Sequence, residues 1–188
     1  MGYLEETLIF ESDKIYYTDK AFGSNREVMM DWEDSLMSAS AAYVCEGGGD
    51  ILEIGFGMGI SAGYMHSHSI NSHTIIENHP QIITKAQEWA ASKSNVTIIT
   101  GSWYSVKDSL STYDGVFYDT FGDQDMNKFS SSLSSLVKEG AKVTWWNNEP
   151  SETNFYNIPN VTYQILNINP PVNNYFNLNK YYLPKKEF

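Results

Sequence analysis

From Asp50 onward the sequence alternates between short, apolar, β-branched runs and longer stretches with helical spacing, a rhythm that few folds accommodate. Strands are expected at Ile51 to Ile54, His73 to Ile76, Val96 to Thr100, Gly115 to Tyr118 and Ala141 to Trp145. Helices are expected between them, at about Gly59 to His68, Pro80 to Ser92, Tyr104 to Leu110 and Asp125 to Lys138. Such alternation makes a parallel sheet with helices on both faces, because every parallel connection needs a crossover. The tail breaks the rhythm: "NVTYQILNI" and "YFNLNKYYLP", joined by "NPPVNN", predict an antiparallel C-terminal hairpin over about 160–184 on the edge of that sheet. Ahead of the sheet, residues 25–45 space Val28, Met29, Trp32, Leu36, Met37 and Ala41 along one face of a helix, and residues 1–24 read as an N-terminal arm.

A length of 188 residues suits one domain with its own core, and 41% hydrophobic with 19% charged residues is globular composition. Apolar runs fall short of the ~20 residues that cross a bilayer, so no membrane partner is expected. The acidic start "MGYLEETLIF" lacks the pattern of a signal peptide, and Glu6 stands where a myristoylation signal carries Ser or Thr. One cysteine, Cys45, cannot form an internal disulfide, which suits a reducing, cytoplasmic setting and offers no base partner for nucleophilic work. Twelve Lys and Arg against 23 Asp and Glu leave a net charge of −11. That balance excludes a nucleic-acid partner and favours a cationic small molecule or a basic peptide. Oligomeric state is left open.

The first predicted strand runs directly into glycines, in "ILEIGFGMGI". Ligands of open α/β sheets sit at the carboxyl ends of the strands, which makes Gly55, Phe56, Gly57, Met58 and Gly59 the leading site. A dinucleotide fingerprint starting at Gly55 needs a small residue at position 60, and Ile60 is there instead. The spacing present, E-x-G-x-G-x-G from Glu53 to Gly59, resembles the first motif of class I methyltransferases, which bind S-adenosylmethionine. This cofactor has no phosphate to cradle, and the resemblance implies glycines that let the backbone approach its amino-acid end. Glu77 ends the second strand, where a carboxylate can accept from both ribose hydroxyls. Gly101, Ser102 and Trp103 follow the third strand and can bracket an adenine, and "VFYDT" sets Asp119 beyond the fourth. Each has a plainer structural reading: Glu77 as a helix N-terminal acid, Trp103 as core, Asp119 as a helix cap.

A narrower resemblance is carried by "VMMDWEDSLM" with "ILEIGFGMGIS", "HTIIENHP", "GSW" and "GVFYDTF". Together these resemble guanidinoacetate methyltransferase and the related arginine δ-N-methyltransferase domain, from about Val28 to Asn147 and again at Pro170, Pro171 and "YYLP". The resemblance implies a Rossmann-like, mostly parallel seven-stranded sheet and S-adenosylmethionine as methyl donor. It implies that Met29 and Met37 pack around the cofactor, that Glu53 and the loop Gly55 to Met58 lie beside its methionine portion, and that Glu77 holds the ribose. Asn78 and His79 would follow along the adenosine, with Gly101, Ser102 and Trp103 flanking the adenine. Glu33 and Asp119 would bind and activate the substrate guanidine, with Thr120 beside them, and Asn148 and Glu149 would fall where the family holds a substrate carboxylate.

Two carboxylates suit that chemistry. A guanidinium has a pKa above about 12 and delocalised lone pairs, so it must be gripped and relieved of a proton before it attacks a methyl group. Glu149 would repel a substrate carboxylate, and only "NEPSETNFYNIP" separates the fifth strand from the hairpin. Both features favour an agmatine-like compound, a polyamine or an arginine side chain over guanidinoacetate. The alternative is a protein that binds the cofactor without catalysis. Two other patterns carry less: "NPPV" is out of place for an amino-methylating DNA loop, and His66, His68, His73 and His79 straddle different elements without metal-ligand spacing, so no metal is expected.

Overall fold

The structure is a computed structural model and describes residues 2–188. After a 3-10 turn at Tyr3–Glu5 the chain forms a small antiparallel sheet in the order β1 (Ile9–Phe10), β2 (Lys14–Asp19), β3 (Ser24–Met30). One further 3-10 turn, Asp31–Glu33, leads into α1 (Asp34–Val44). There follow β4 (Asp50–Ile54), α2 (Ile60–Ser67), β5 (Ser72–Glu77), α3 (Pro80–Ala90), β6 (Val96–Thr100), α4 (Trp103–Val106), β7 (Tyr113–Tyr118), α5 (Phe129–Ser132), β8 (Val137–Trp145), β9 (Thr162–Asn167) and β10 (Lys180–Glu187). The large sheet has seven strands in the order β6-β5-β4-β7-β8-β10-β9. The first five are parallel, and β10 enters antiparallel between β8 and β9. This is the Rossmann-like methyltransferase architecture, with its C-terminal hairpin, that the sequence predicts.

Period-two alternation explains why both faces are covered. Leu52, Ile54, Ile76, Val116 and Tyr118 point into one core with Trp103 of α4 and Phe129 of α5. Their chain neighbours Ile51 and Phe117 point the other way, onto Leu36 and Met37 of α1 and Met65 of α2. Ile75 joins that second face with Ala62 of α2 and Ile82 and Ala86 of α3. Among the described residues no helix is long and apolar enough to cross a membrane.

Four local expectations are corrected. The helix expected over residues 25–45 begins only at Asp34, since Ser24–Met30 pairs antiparallel with β2 from Lys14↔Met30 to Asp19↔Ser24. Val28 and Trp32, four positions apart, fit either period over so short a run, and the main-chain ladder of the hairpin decides it. The N-terminal arm accordingly carries β1 and β2. The helix expected over Asp125 to Lys138 is broken into short turns, Met126–Lys128, Phe129–Ser132 and Leu133–Ser135, and β8 starts at Val137. Serine hydroxyls compete for the carbonyls there: Ser131 and Ser132 both donate to Lys128 O at 3.0 Å, and Ser135 donates to Ser132 O at 2.8 Å. The helix expected at Tyr104 to Leu110 is one α-turn plus a 3-10 turn, Lys107–Ser109. Finally, "YFNLN" is loop rather than strand. Asn173 Oδ1 accepts from Tyr175 N at 3.0 Å and Phe176 N at 2.7 Å, while its Nδ2 donates to Pro171 O and Phe176 O, taking over backbone groups a ladder would need.

Candidate active site

Parallel pairing aligns the carboxyl ends of five strands. Ile54 lies opposite Ile76 and Tyr118, Glu77 opposite Thr100, and Tyr118 opposite Trp145. Gly55, Glu77, Gly101, Asp119 and Trp146 therefore converge on one rim, where they line a cavity of about 300 Å³.

The glycine loop is packed closely against the protein around it. Gly55 has φ +95, and a Cβ there would stand 1.8 Å from Asp119 O; one on Gly57 would meet the Met29 sulfur at 2.5 Å. One on Gly59 would meet the Phe56 ring at 2.6 Å. The glycines let the end of β4 pass close against the end of β7 and let the loop seat against β3, and Gly55 and Gly57 also line the cavity. Met58 N donates to Met29 Sδ at 3.2 Å, which fastens the loop to β3. Glu77 anchors the other side, its two oxygens accepting from Phe56 N at 3.0 Å, Asn78 N at 2.7 Å and His79 N at 2.9 Å. A carboxylate has capacity for about four such bonds, so acceptor sites remain for a hydroxyl. Apolar Ile76 and Ile82 line the same stretch, with Tyr3 of the N-terminal turn packed on Phe121 at a centroid distance of 4.9 Å.

The far end of the cavity is acidic. Glu33 is only 3% exposed, and its Oε1 accepts from Met30 N at 2.9 Å and from the Tyr175 hydroxyl at 2.5 Å. Burial, and then the charge of Asp119, push its carboxyl up to about 8. Burial, and then the charge of Glu53, push Asp119 up to about 7. Trp146, Asn148, Thr120 and Tyr175 complete this wall, and no Lys, Arg or His lines the cavity among the described residues.

Of the residues the sequence singles out, Met29, Glu33, Gly55, Phe56, Gly57, Glu77, Asn78, Gly101, Trp103, Asp119, Thr120 and Asn148 line this cavity. Several others do not. Met37 is core beneath α1, packed with Leu36 and Phe117. Met58 packs its half-buried side chain against the hydrophobic clusters beside the loop. Glu53 is fully buried below the loop, hydrogen-bonded by Ser61 and 2.9 Å from His73 Nε2. His79 caps α3, its Nδ1 accepting from Gln81 N at 3.3 Å and its Nε2 facing Glu6 O at 3.3 Å. Ser102 turns to Asp125 at 3.4 Å. Trp103 is mostly core, stacked edge-on against Tyr118 and Phe129, with its indole N–H donated to Asp123 at 2.7 Å. Glu149 lies off the wall, its amide bonded to Asn147 Oδ1 at 3.0 Å, so the repulsion expected from it is replaced by the absence of any lining cation.

Sequence reasoning missed Tyr3, Trp146 and Tyr175. Trp146 was within reach, as the residue directly after a strand whose end meets the rim.

The guanidinoacetate N-methyltransferase family model matches residues 18–145. Protein arginine N-methyltransferase 2 of Kluyveromyces lactis is 32% identical over 92% of this chain and 51% of its own length, and that of Aspergillus oryzae is 32% identical over 77% of this chain and 36% of its own. The chain thus spans about half, or about a third, of these relatives. Among solved structures, spermidine synthase from Thermotoga maritima superposes with a TM-score of 0.66 at 10% identity, over 96% of this chain and 72% of that one. The N-methyltransferase NodS from Bradyrhizobium japonicum does so with 0.62 at 11%, over 83% and 96%. Those two likenesses concern the fold alone. The family match takes in β3, the glycine loop, Glu77, Asp119 and the strands that carry them, and the chain belongs to the guanidinoacetate N-methyltransferase family.

Proposed function

We propose that the chain uses S-adenosylmethionine to methylate a guanidino or amino nitrogen on a cationic acceptor, either a small molecule or an arginine side chain. The observation that carries this reading is a cavity with a carboxylate pair, Glu33 and Asp119, at one end and no lining Lys, Arg or His among the described residues. The donor set fits the cofactor: Glu77 keeps acceptor capacity for ribose hydroxyls, and Ile76 and Ile82 give an apolar slot beside it. When bound, the cofactor supplies an activated methyl group on a sulfonium, with a neutral thioether as leaving group.

The chain's residues do the rest. Glu33 and Asp119 grip the cationic acceptor by charge-assisted hydrogen bonds and hold its nitrogen in place, where pre-positioning is worth roughly 7–11 kcal/mol of barrier. Asp119, with its carboxyl near neutrality, takes the proton that the acceptor nitrogen gives up on one of its Oδ atoms. Trp146 and Tyr175 keep water from that end. A substrate carboxylate would find no cationic partner, which favours agmatine-like compounds, polyamines or peptidyl arginine over guanidinoacetate.

The test is mass spectrometry of a basic-peptide pool and a metabolite extract incubated with isotope-labelled cofactor. Labelled methyl groups on guanidino or amino nitrogens are expected, and Asp119→Asn should bind S-adenosylhomocysteine yet transfer nothing. Cofactor binding with no methylated guanidine, amine or peptide would overturn the reading and leave a binding module instead.

A further inference from the structure

We propose that Tyr175 is a positioning residue for Glu33, fixing which carboxylate oxygen meets the acceptor, with the Pro170–Asn177 loop as its rigid mount. The proposal rests on the reading of Glu33 as an acceptor-binding group.

The hydroxyl of Tyr175 donates to Glu33 Oε1 across 142 positions of sequence, and Met30 N donates to the same oxygen. Oε1 is thereby occupied by two protein donors. Among the described residues no donor meets Oε2, and Glu33 lines the cavity, which leaves Oε2 as the oxygen free for an acceptor. Without the Tyr175 bond the carboxylate keeps one anchor and can rotate to present either oxygen.

The mount is built before any acceptor arrives. The Tyr175 ring stacks on Trp32 at 5.9 Å and 29°, and lies 6.2 Å from Trp146. Asn173 ties the loop to itself by the four bonds described above. Asn174 ties it to β3, its Nδ2 donating to Asn25 O at 2.7 Å and its amide to Glu27 Oε2 at 3.4 Å. The phenolic proton also matters electrostatically. The groups that face Glu33 are Asp119 beyond β7, the hydroxyl of Tyr181 on β10, the Met30 amide and Tyr175. Asp119 opposes ionisation of Glu33, while the Met30 amide and Tyr175 favour it.

Tyr175→Phe removes the hydroxyl and leaves the ring stacking. With labelled cofactor, and agmatine and an arginine-containing basic peptide as probes, KM for the acceptor should rise about tenfold or more, and the acid limb of the pH profile should move up by about one unit. Affinity for S-adenosylhomocysteine, bound at the other end, should stay within about twofold. A measurement independent of turnover accompanies these: an infrared titration of the carboxyl band that Glu33→Gln abolishes, followed in folded wild type and in Tyr175→Phe. A band that titrates at higher pH in Tyr175→Phe supports the proposal, even where neither probe is methylated by wild type, an outcome that would count against the acceptor reading alone. An unmoved band overturns the proposal, as does an unmoved KM and acid limb.

Discussion

The carbonyl oxygen of Asp119 lies 1.8 Å from where a side chain at Gly55 would begin. The first glycine of the motif and the proposed proton acceptor are thus held in one backbone crossing between β4 and β7. Gly55→Ala would combine a left-handed φ, costing about 1–2 kcal/mol, with a main-chain collision that no rotamer relieves. Urea unfolding should show a loss of more than about 3 kcal/mol. Gly47→Ala, with nothing within 4 Å of its added Cβ, should stay within about 0.5 kcal/mol of wild type.

The carboxylate pair makes stability depend on pH in a stated direction. Asp119 and Glu33 are raised in the folded chain, to about 7 and about 8 from ordinary values of 3.8 and 4.5. Groups raised on folding contribute stability that is complete below their unfolded values and is lost as pH rises through their folded ones. Asp119→Asn should therefore match wild type near pH 4 and exceed it above pH 7. The expected gain is at least about 1 kcal/mol, or roughly 2–4 °C in Tm for a chain of this size. Thermal melts of both proteins across that range check the sign, and a variant less stable than wild type at pH 8 would refute it.

Glu77 accepts three backbone N–H groups, so Glu77→Gln must turn its amide NH2 toward at least one donor or leave a donor unpaired. An unsatisfied group of that kind costs about 1–3 kcal/mol. Affinity for S-adenosylhomocysteine should fall about tenfold or more by calorimetry, with the far-ultraviolet circular dichroism unchanged.

Asn173 holds the amides of Tyr175 and Phe176 by its Oδ1. Hydrogen exchange should find both amides protected in wild type and exchanging at least about tenfold faster in Asn173→Ala, with β4 to β7 unaffected. Equal protection in the two proteins would mean the loop is held by its ring contacts alone.

The rim of the cavity was legible because its residues sit at fixed offsets from strand ends. Glu77 closes β5 and Asp119 follows β7, and parallel pairing brings such positions together whatever the loops do. The same rule marked Gly55 and Gly57, both of which line the cavity, but spacing could not reveal that they also clear Asp119 O and the Met29 sulfur. Burial misled the reading at Met37 and Glu53: each lies within four positions of a cavity-lining residue in sequence, but period-two or helical geometry turns its side chain into the core. Tyr175 was illegible for another reason. Its partner Glu33 lies 142 positions away, and the loop between them and β10 is shaped by the Asn173 side chain rather than by any periodic pattern.

The entry of β10 between β8 and β9 divides the cavity by order of synthesis. Lining residues from Tyr3 to Met126, Glu33 and Asp119 among them, leave the ribosome before Trp146, Asn148 and Tyr175 do. On the proposed reading, the donor site and the carboxylate pair are encoded upstream, and part of the acceptor wall hangs on one late-translated stretch. Changes confined to residues 146–177 can retune what is methylated while the machinery for the methyl donor stays as it is, which gives this architecture a ready route to new acceptors.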